Sequence, residues 1–65
     1  MGTLQEVTVV RHSDKVPFSG HAWLREDGSF EAWWYENGIR HTYPFDLNGR
    51  QLGHFKRYTI QLRQT

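Results

Sequence analysis

Trp23, Arg25, Trp33, Tyr35, Arg40, Phe55 and Arg57 are the residues of this chain best suited by type and spacing to recognition chemistry. They come from runs that read as β-strands. Successive side chains on a strand point to opposite faces, and in the register derived below these residues share one face. Flat rings on a sheet give single-stranded nucleic acids a stacking platform worth roughly 1–3 kcal/mol per base, and arginines add phosphate contacts. Trp, Tyr and Arg are equally the anchors of protein interfaces. A third use is structural, with a terminal strand or a second copy of the chain folded over the rings.

Two other groups invite a chemical reading. His12, His21, His41 and His54 are the residue type that holds zinc, copper or nickel. None is spaced to bring a pair together by itself. Only His41 and His54 are placed to approach each other, diagonally, by a register that sets Tyr43 opposite His54. Half-buried histidines satisfied by their neighbours are the expectation, with no metal site. His12-Ser13-Asp14 holds the residue types of a catalytic triad in one tripeptide. A triad is a spatial arrangement that adjacent residues rarely meet, so Asp14 is expected to shape a turn. There is no phosphate-binding glycine loop and no cofactor motif. Neither an enzyme nor a cofactor is expected.

The elements that must position these residues are short. Sixty-five residues make one domain, 1–65, and chains of this size bury only about 60% of their unfolded surface. With no cysteine, neither a disulfide framework nor a thiolate zinc site can help. Stability must come from the four Phe, three Tyr and three Trp, from oligomerisation, or from both. The first residues lack a basic stretch followed by an apolar one, and no apolar run approaches the roughly 20 residues of a membrane span. A cytoplasmic chain without membrane partners is expected. The net charge of +1 hides an asymmetry. Residues 1–39 hold Arg11, Lys15 and Arg25 against Glu6, Asp14, Glu26, Asp27, Glu31 and Glu36, whereas residues 40–65 hold Arg40, Arg50, Lys56, Arg57 and Arg63 against Asp46 alone. Such a split marks either a nucleic-acid footprint or acidic strands lying beside basic ones.

Apolar residues alternate and turn signals are frequent, so strands are expected and no substantial helix. The strands are Leu4 to Arg11, Phe18 to Arg25, Ser29 to Glu36, Ile39 to Phe45 and Leu52 to Leu62, with His12 to Pro17 a polar loop. Asn37-Gly38 is the favoured two-residue hairpin turn. It pairs Trp34 with His41 and Trp33 with Thr42. Asn48-Gly49 repeats that signal and would set Phe45 opposite Leu52. At Asp27-Gly28 a two-residue loop would oppose Leu24 and Glu31, so a three-residue loop with left-handed Gly28 is expected, opposing Leu24 and Phe30. One face then carries Ala22, Leu24, Phe30, Ala32, Trp34, Ile39, Tyr43, Phe45 and Leu52, joined by Tyr58, Ile60 and Leu62, with Val7 and Val9, or alternatively Val10. The other carries His21, Trp23, Arg25, Glu31, Trp33, Tyr35, Arg40, Thr42, Phe55 and Arg57. Gly53 marks a bulge or bend, because an unbroken fifth strand would turn His54 and Lys56 into the core.

The expected fold is all-β: a five-stranded antiparallel meander, strongly bent or closing into a small, partly open SH3-like barrel. Residues Arg25 to His41 place an Asp-Gly turn, an aromatic strand, an Asn-Gly turn and a histidine in succession. This stretch, about a quarter of the chain, resembles the hairpin unit of MORN-like repeat proteins, although the unit is not repeated. The resemblance implies hairpin geometry and a scaffold for binding, with no catalytic residues. The expected function is a small binding module whose aromatic-basic face takes single-stranded nucleic acid. The alternative is a protein-interaction or inhibitor module, with a homodimer burying the same face as one form of it.

Overall fold

The computed structural model describes residues 3–54 and 56–63. It contains five strands, β1 (Leu4–Arg11), β2 (Pro17–Leu24), β3 (Phe30–Glu36), β4 (Ile39–Phe45) and β5 (Tyr58–Leu62). They form one antiparallel sheet in the order β4-β3-β2-β1-β5. Three meander hairpins account for four strands, and the last strand returns to pair with the first.

The turns follow their side-chain chemistry. Asn37 (φ 53°) and Gly38 (φ 78°) are both left-handed, as a type I′ turn requires, and the β3–β4 register sets Trp34 opposite His41 and Trp33 opposite Thr42. The Arg25 amide donates to the Ser29 carbonyl (2.8 Å), which closes a three-residue loop over Glu26, Asp27 and left-handed Gly28. Leu24 therefore faces Phe30, as expected.

The third turn corrects the sequence reading. Asn48-Gly49 is not a two-residue loop. Asp46 Oδ1 accepts from the amides of Asn48 and Arg50 (both 2.9 Å), and the Asp46 amide donates to the Arg50 carbonyl (2.8 Å). An aspartate can thus template the turn with its own carboxylate. The loop gains a residue, and Phe45 faces Gln51 instead of Leu52. A one-residue slip reverses the faces. Gln51 is buried and Leu52 is 43% exposed. The register that would have set Tyr43 opposite His54 is lost as well, and Tyr43 pairs with Ala32 on its other side.

The fifth strand is shorter than expected, beginning at Tyr58 instead of Leu52. Gly53 (φ 100°) redirects the backbone, and the buried Gln51 side chain holds the return. Its Oε1 accepts from the amides of Arg57 (2.8 Å) and Tyr58 (3.2 Å). The sheet does not close into a barrel. The segment 46–51 instead spans from the β4 edge to the β5 edge, where Arg50 bridges Thr59 and the Ile60 amide donates to the Gly49 carbonyl (2.8 Å).

The core is Val7, Val9, Ala22, Phe30, Ala32, Trp34, Phe45 and Ile60, with Phe18, Tyr43 and Tyr58 packed against it. Val7 and Val9 face inward, and Val10 does not. Four residues expected in the core, Leu24, Ile39, Leu52 and Leu62, are exposed. Leu24, Ile39 and Leu62 lie at strand ends, beyond the reach of the opposite elements. Gly20 faces Trp34 across the β2–β3 ladder, and a Cβ there would sit 2.7 Å from the Trp33 carbonyl oxygen.

Gly49 is the tightest backbone contact. It is left-handed (φ 85°), and an added Cβ would overlap the Ile60 carbonyl oxygen. Gly38 is also left-handed but has open space around it. Gly38→Ala should cost only the left-handed penalty of about 1–2 kcal/mol, and Gly49→Ala clearly more. Urea unfolding of both variants measures the difference. Equal losses would mean that the 46–51 tie to β5 contributes nothing.

Candidate interaction face

The sheet face turned away from the core carries a row of stacked rings. Trp33 lies directly across from His21, and its diagonal neighbour on β2 is Trp23. The His21 and Trp33 rings are 5.7 Å apart at 26°, and the Trp23 and Trp33 rings 6.0 Å apart at 27°. From β4 the Arg40 guanidinium lies over Trp33, 5.1 Å from the ring centroid. Such a contact is worth about 0.5–1 kcal/mol at an exposed site. Trp33 is half-buried by these neighbours. Trp23 is 40% exposed, and Tyr35, opposite Arg40, is 60% exposed. Leu4, opposite Trp23 on β1, extends the apolar strip.

Charge on this face is already partly matched. Arg25 donates to Glu31 (2.5 Å), and both side chains are well exposed to water. Trp23, Arg25, Trp33, Tyr35 and Arg40 therefore come together as expected. Arg57 does not join them. It lies beside Tyr58, Tyr43 and His41, at the core-side end of the sheet, because β5 starts only after it. Phe55 lies outside the described residues.

A second group, which the sequence did not reveal, lies at the opposite face. Glu36 accepts from Trp34 Nε1 and from the Tyr58 hydroxyl on one oxygen, and from Arg11 on the other, all at 2.8 Å. Trp34 is 1% exposed and packs edge-on to Tyr58 (4.8 Å) and close to Tyr43 (5.7 Å) and His41 (6.0 Å). Arg11 also grips Asp14 with two bonds (2.9 and 2.7 Å) and lies over Phe18. Arg11 and Glu36 are 25 residues apart, on strands that are not neighbours, so no local spacing announced the pair.

The tripeptide His12-Ser13-Asp14 is not assembled as a triad. Asp14 holds Arg11, while the two ring nitrogens of His12 meet the Lys56 carbonyl (2.9 Å) and Thr59 Oγ1 (2.5 Å). His41 stacks on Trp34 and Tyr43. Among the described residues no group of three or more metal-ligating side chains comes together, and no helix is long and apolar enough to cross a membrane. Comparison with protein-family models, curated proteins and solved structures finds no match.

The environment of Glu36 makes a pH prediction. Burial pushes its carboxyl upward, but hydrogen bonds from Trp34 and Tyr58, with the charges of His41 and Arg11, outweigh burial and hold it below the ordinary 4.5. A carboxyl lowered in the folded state stabilises above its unfolded value, and that contribution fades as pH falls through the folded one. Glu36→Gln should cost about 2 kcal/mol near neutrality and flatten the loss of stability below pH 4.5. Thermal or urea unfolding from pH 7 downward checks this. An acid limb parallel to that of the parent would assign the acid sensitivity to other carboxylates.

Proposed function

We propose that this chain is a small, non-enzymatic protein-interaction module that docks through the Trp23–Trp33–Tyr35 face. One observation carries the reading. The rings of His21, Trp33 and Trp23 stack on one another, and Arg40 covers Trp33. Nucleobase binding needs open ring faces. The faces of Trp33 are spent on its ring neighbours and on Arg40, so the row offers less open ring face than a base-stacking platform and suits packing against another protein. The charge supports the same choice. Arg25 is matched by Glu31, and Arg57 lies elsewhere, so few cations remain on this face to release counterions from a phosphate backbone. Trp, Tyr and Arg at the centre of a patch, with apolar Leu4 beside them, match the composition of interface anchors.

A second copy of the chain is the first partner to test. The face carries Glu6 and Glu31 as well as Arg25 and Arg40, so it can complement itself about a two-fold axis. A domain of this size also gains much from covering apolar surface. Sedimentation across a wide concentration range should show reversible self-association that Trp33→Glu abolishes without altering the near-ultraviolet signature of Trp34. A strict monomer removes self-association. A monomer whose fluorescence is quenched by single-stranded oligonucleotides, with the quenching lost in Trp33→Ala, would return the face to nucleic-acid binding.

A further inference from the structure

Resting on the protein-interaction reading above, we propose that the free edge of β4 takes an extended segment of a partner protein, apolar with one acidic residue, as an added antiparallel strand. β4 and β5 are the outer strands of the sheet. The β5 edge is taken, since Arg50 bridges Thr59 and the Ile60 amide donates to the Gly49 carbonyl. β4 is covered at its end, where the Leu52 amide donates to the Pro44 carbonyl (3.0 Å) and Phe45 bridges Gln51.

The ladder decides which backbone groups remain. Residues that flank a two-residue hairpin turn exchange both of their bonds, and such pairs then alternate along an antiparallel ladder. Ile39, His41 and Tyr43 therefore spend their amides and carbonyls on Glu36, Trp34 and Ala32. Arg40, Thr42 and Pro44 turn theirs outward. Pro44 fixes the phase independently, because its carbonyl takes Leu52 and proline, with no amide to give, suits an outward position on an edge strand. Arg40 and Thr42 are left with an amide and a carbonyl each. Among the described residues no loop or strand bonds to these groups. An unpaired strand edge is a template for one more strand, and main-chain bonds to it supply affinity.

The side chains set the chemistry of that strand. A partner residue opposite Arg40 or Thr42 points to the Trp33 face, and one opposite Ile39, His41 or Tyr43 points to the core side. Arg40 lies over Trp33 and, among the described residues, has no carboxylate partner. An aspartate or glutamate opposite it supplies one. On the core side Ile39 is 64% exposed, and a hollow of about 350 Å³ opens beside His41 and Tyr43, bounded by Gln51, Arg57 and Tyr58. The Tyr43 and Tyr58 rings stack there at 5.9 Å. An aromatic residue opposite His41 fills that hollow, and apolar residues on either side cover Tyr43 and Ile39. From its N-terminus the partner strand thus runs apolar, any residue, aromatic, acidic, apolar.

The probe is a capped Ser-Val-Thr-Phe-Glu-Val-Ser peptide, followed by amide NMR. It should saturate, shift Arg40, His41 and Thr42, and slow hydrogen exchange at Arg40 and Thr42. The peptide with Phe and Glu exchanged should bind at least about tenfold more weakly, a loss near 1.4 kcal/mol. Thr42→Pro removes an outward donor and no bond to β3, so the unfolding midpoint should hold while peptide binding falls at least about tenfold. Arg40→Glu probes the same edge without altering the backbone, and a peptide with Lys for Glu should then bind better than the original. Shifts confined to His21, Trp23 and Trp33 would overturn the edge and leave the ridge standing. No saturation, or equal binding of the two peptides, would also overturn it, and sedimentation of Trp33→Glu tests the ridge separately. Arg40 and Thr42 amides already protected in concentrated protein alone would give the edge to a second copy and overturn the partner strand.

Discussion

The indole of Trp34 is the constraint on which the rest of the molecule depends. It is the largest fully buried side chain, and its one polar atom must find a partner inside. That partner is Glu36, two residues on along the same strand. A carboxylate largely withdrawn from water is costly unless it is paired and fully bonded. Arg11 from β1 and the Tyr58 hydroxyl from β5 complete the set. One indole nitrogen thus obliges three strands to converge, and the sheet bends to bring them together. Gly20 yields its side chain so that Trp34 can lie across β2.

This convergence divides the molecule into two surfaces of different character. On one, Trp33 and its neighbours form a stacked ridge whose charges are largely matched. On the other, the partners of Glu36 draw the β1–β2 loop against the segment before β5 and leave a recess between them. The two adjacent tryptophans therefore serve opposite sides of a single sheet, as alternation along a strand requires. Trp34 organises the interior, and Trp33 organises what meets solvent or a partner.

Much of the fold was legible in the sequence because it is encoded locally. Asn37-Gly38 fixed the β3–β4 register through backbone geometry alone, and the choice of a three-residue loop at Asp27-Gly28 followed from keeping Leu24 opposite Phe30. Asn48-Gly49 misled because the competing signal came from a side chain, the Asp46 carboxylate, which templates a longer turn. That slip exchanged Leu52 for Gln51 in the interior and hid the true start of β5. Five of the recognition residues came together because neighbouring hairpins hold them. Arg57 did not, because its place depends on a strand pairing distant in sequence. The Arg11–Glu36 contact was invisible for the same reason.

β1 is an inner strand, with β2 on one side and β5 on the other. Its second neighbour comes from the far end of the chain, where Val9 meets Ile60 and Val7 meets Leu62. On a ribosome, the β1–β4 meander would emerge with one flank of β1 bare and the interior lacking Ile60. Such a half-sheet exposes an unsatisfied strand edge, and contacts of this sequence separation are slow to form. The segment 46–51, which leaves β4 and later grips Ile60, is synthesised just ahead of β5. Its bonds to the far edge, through Gly49, Arg50 and Gln51, run to residues 57–60, so it takes up its place against that edge only when the last strand arrives.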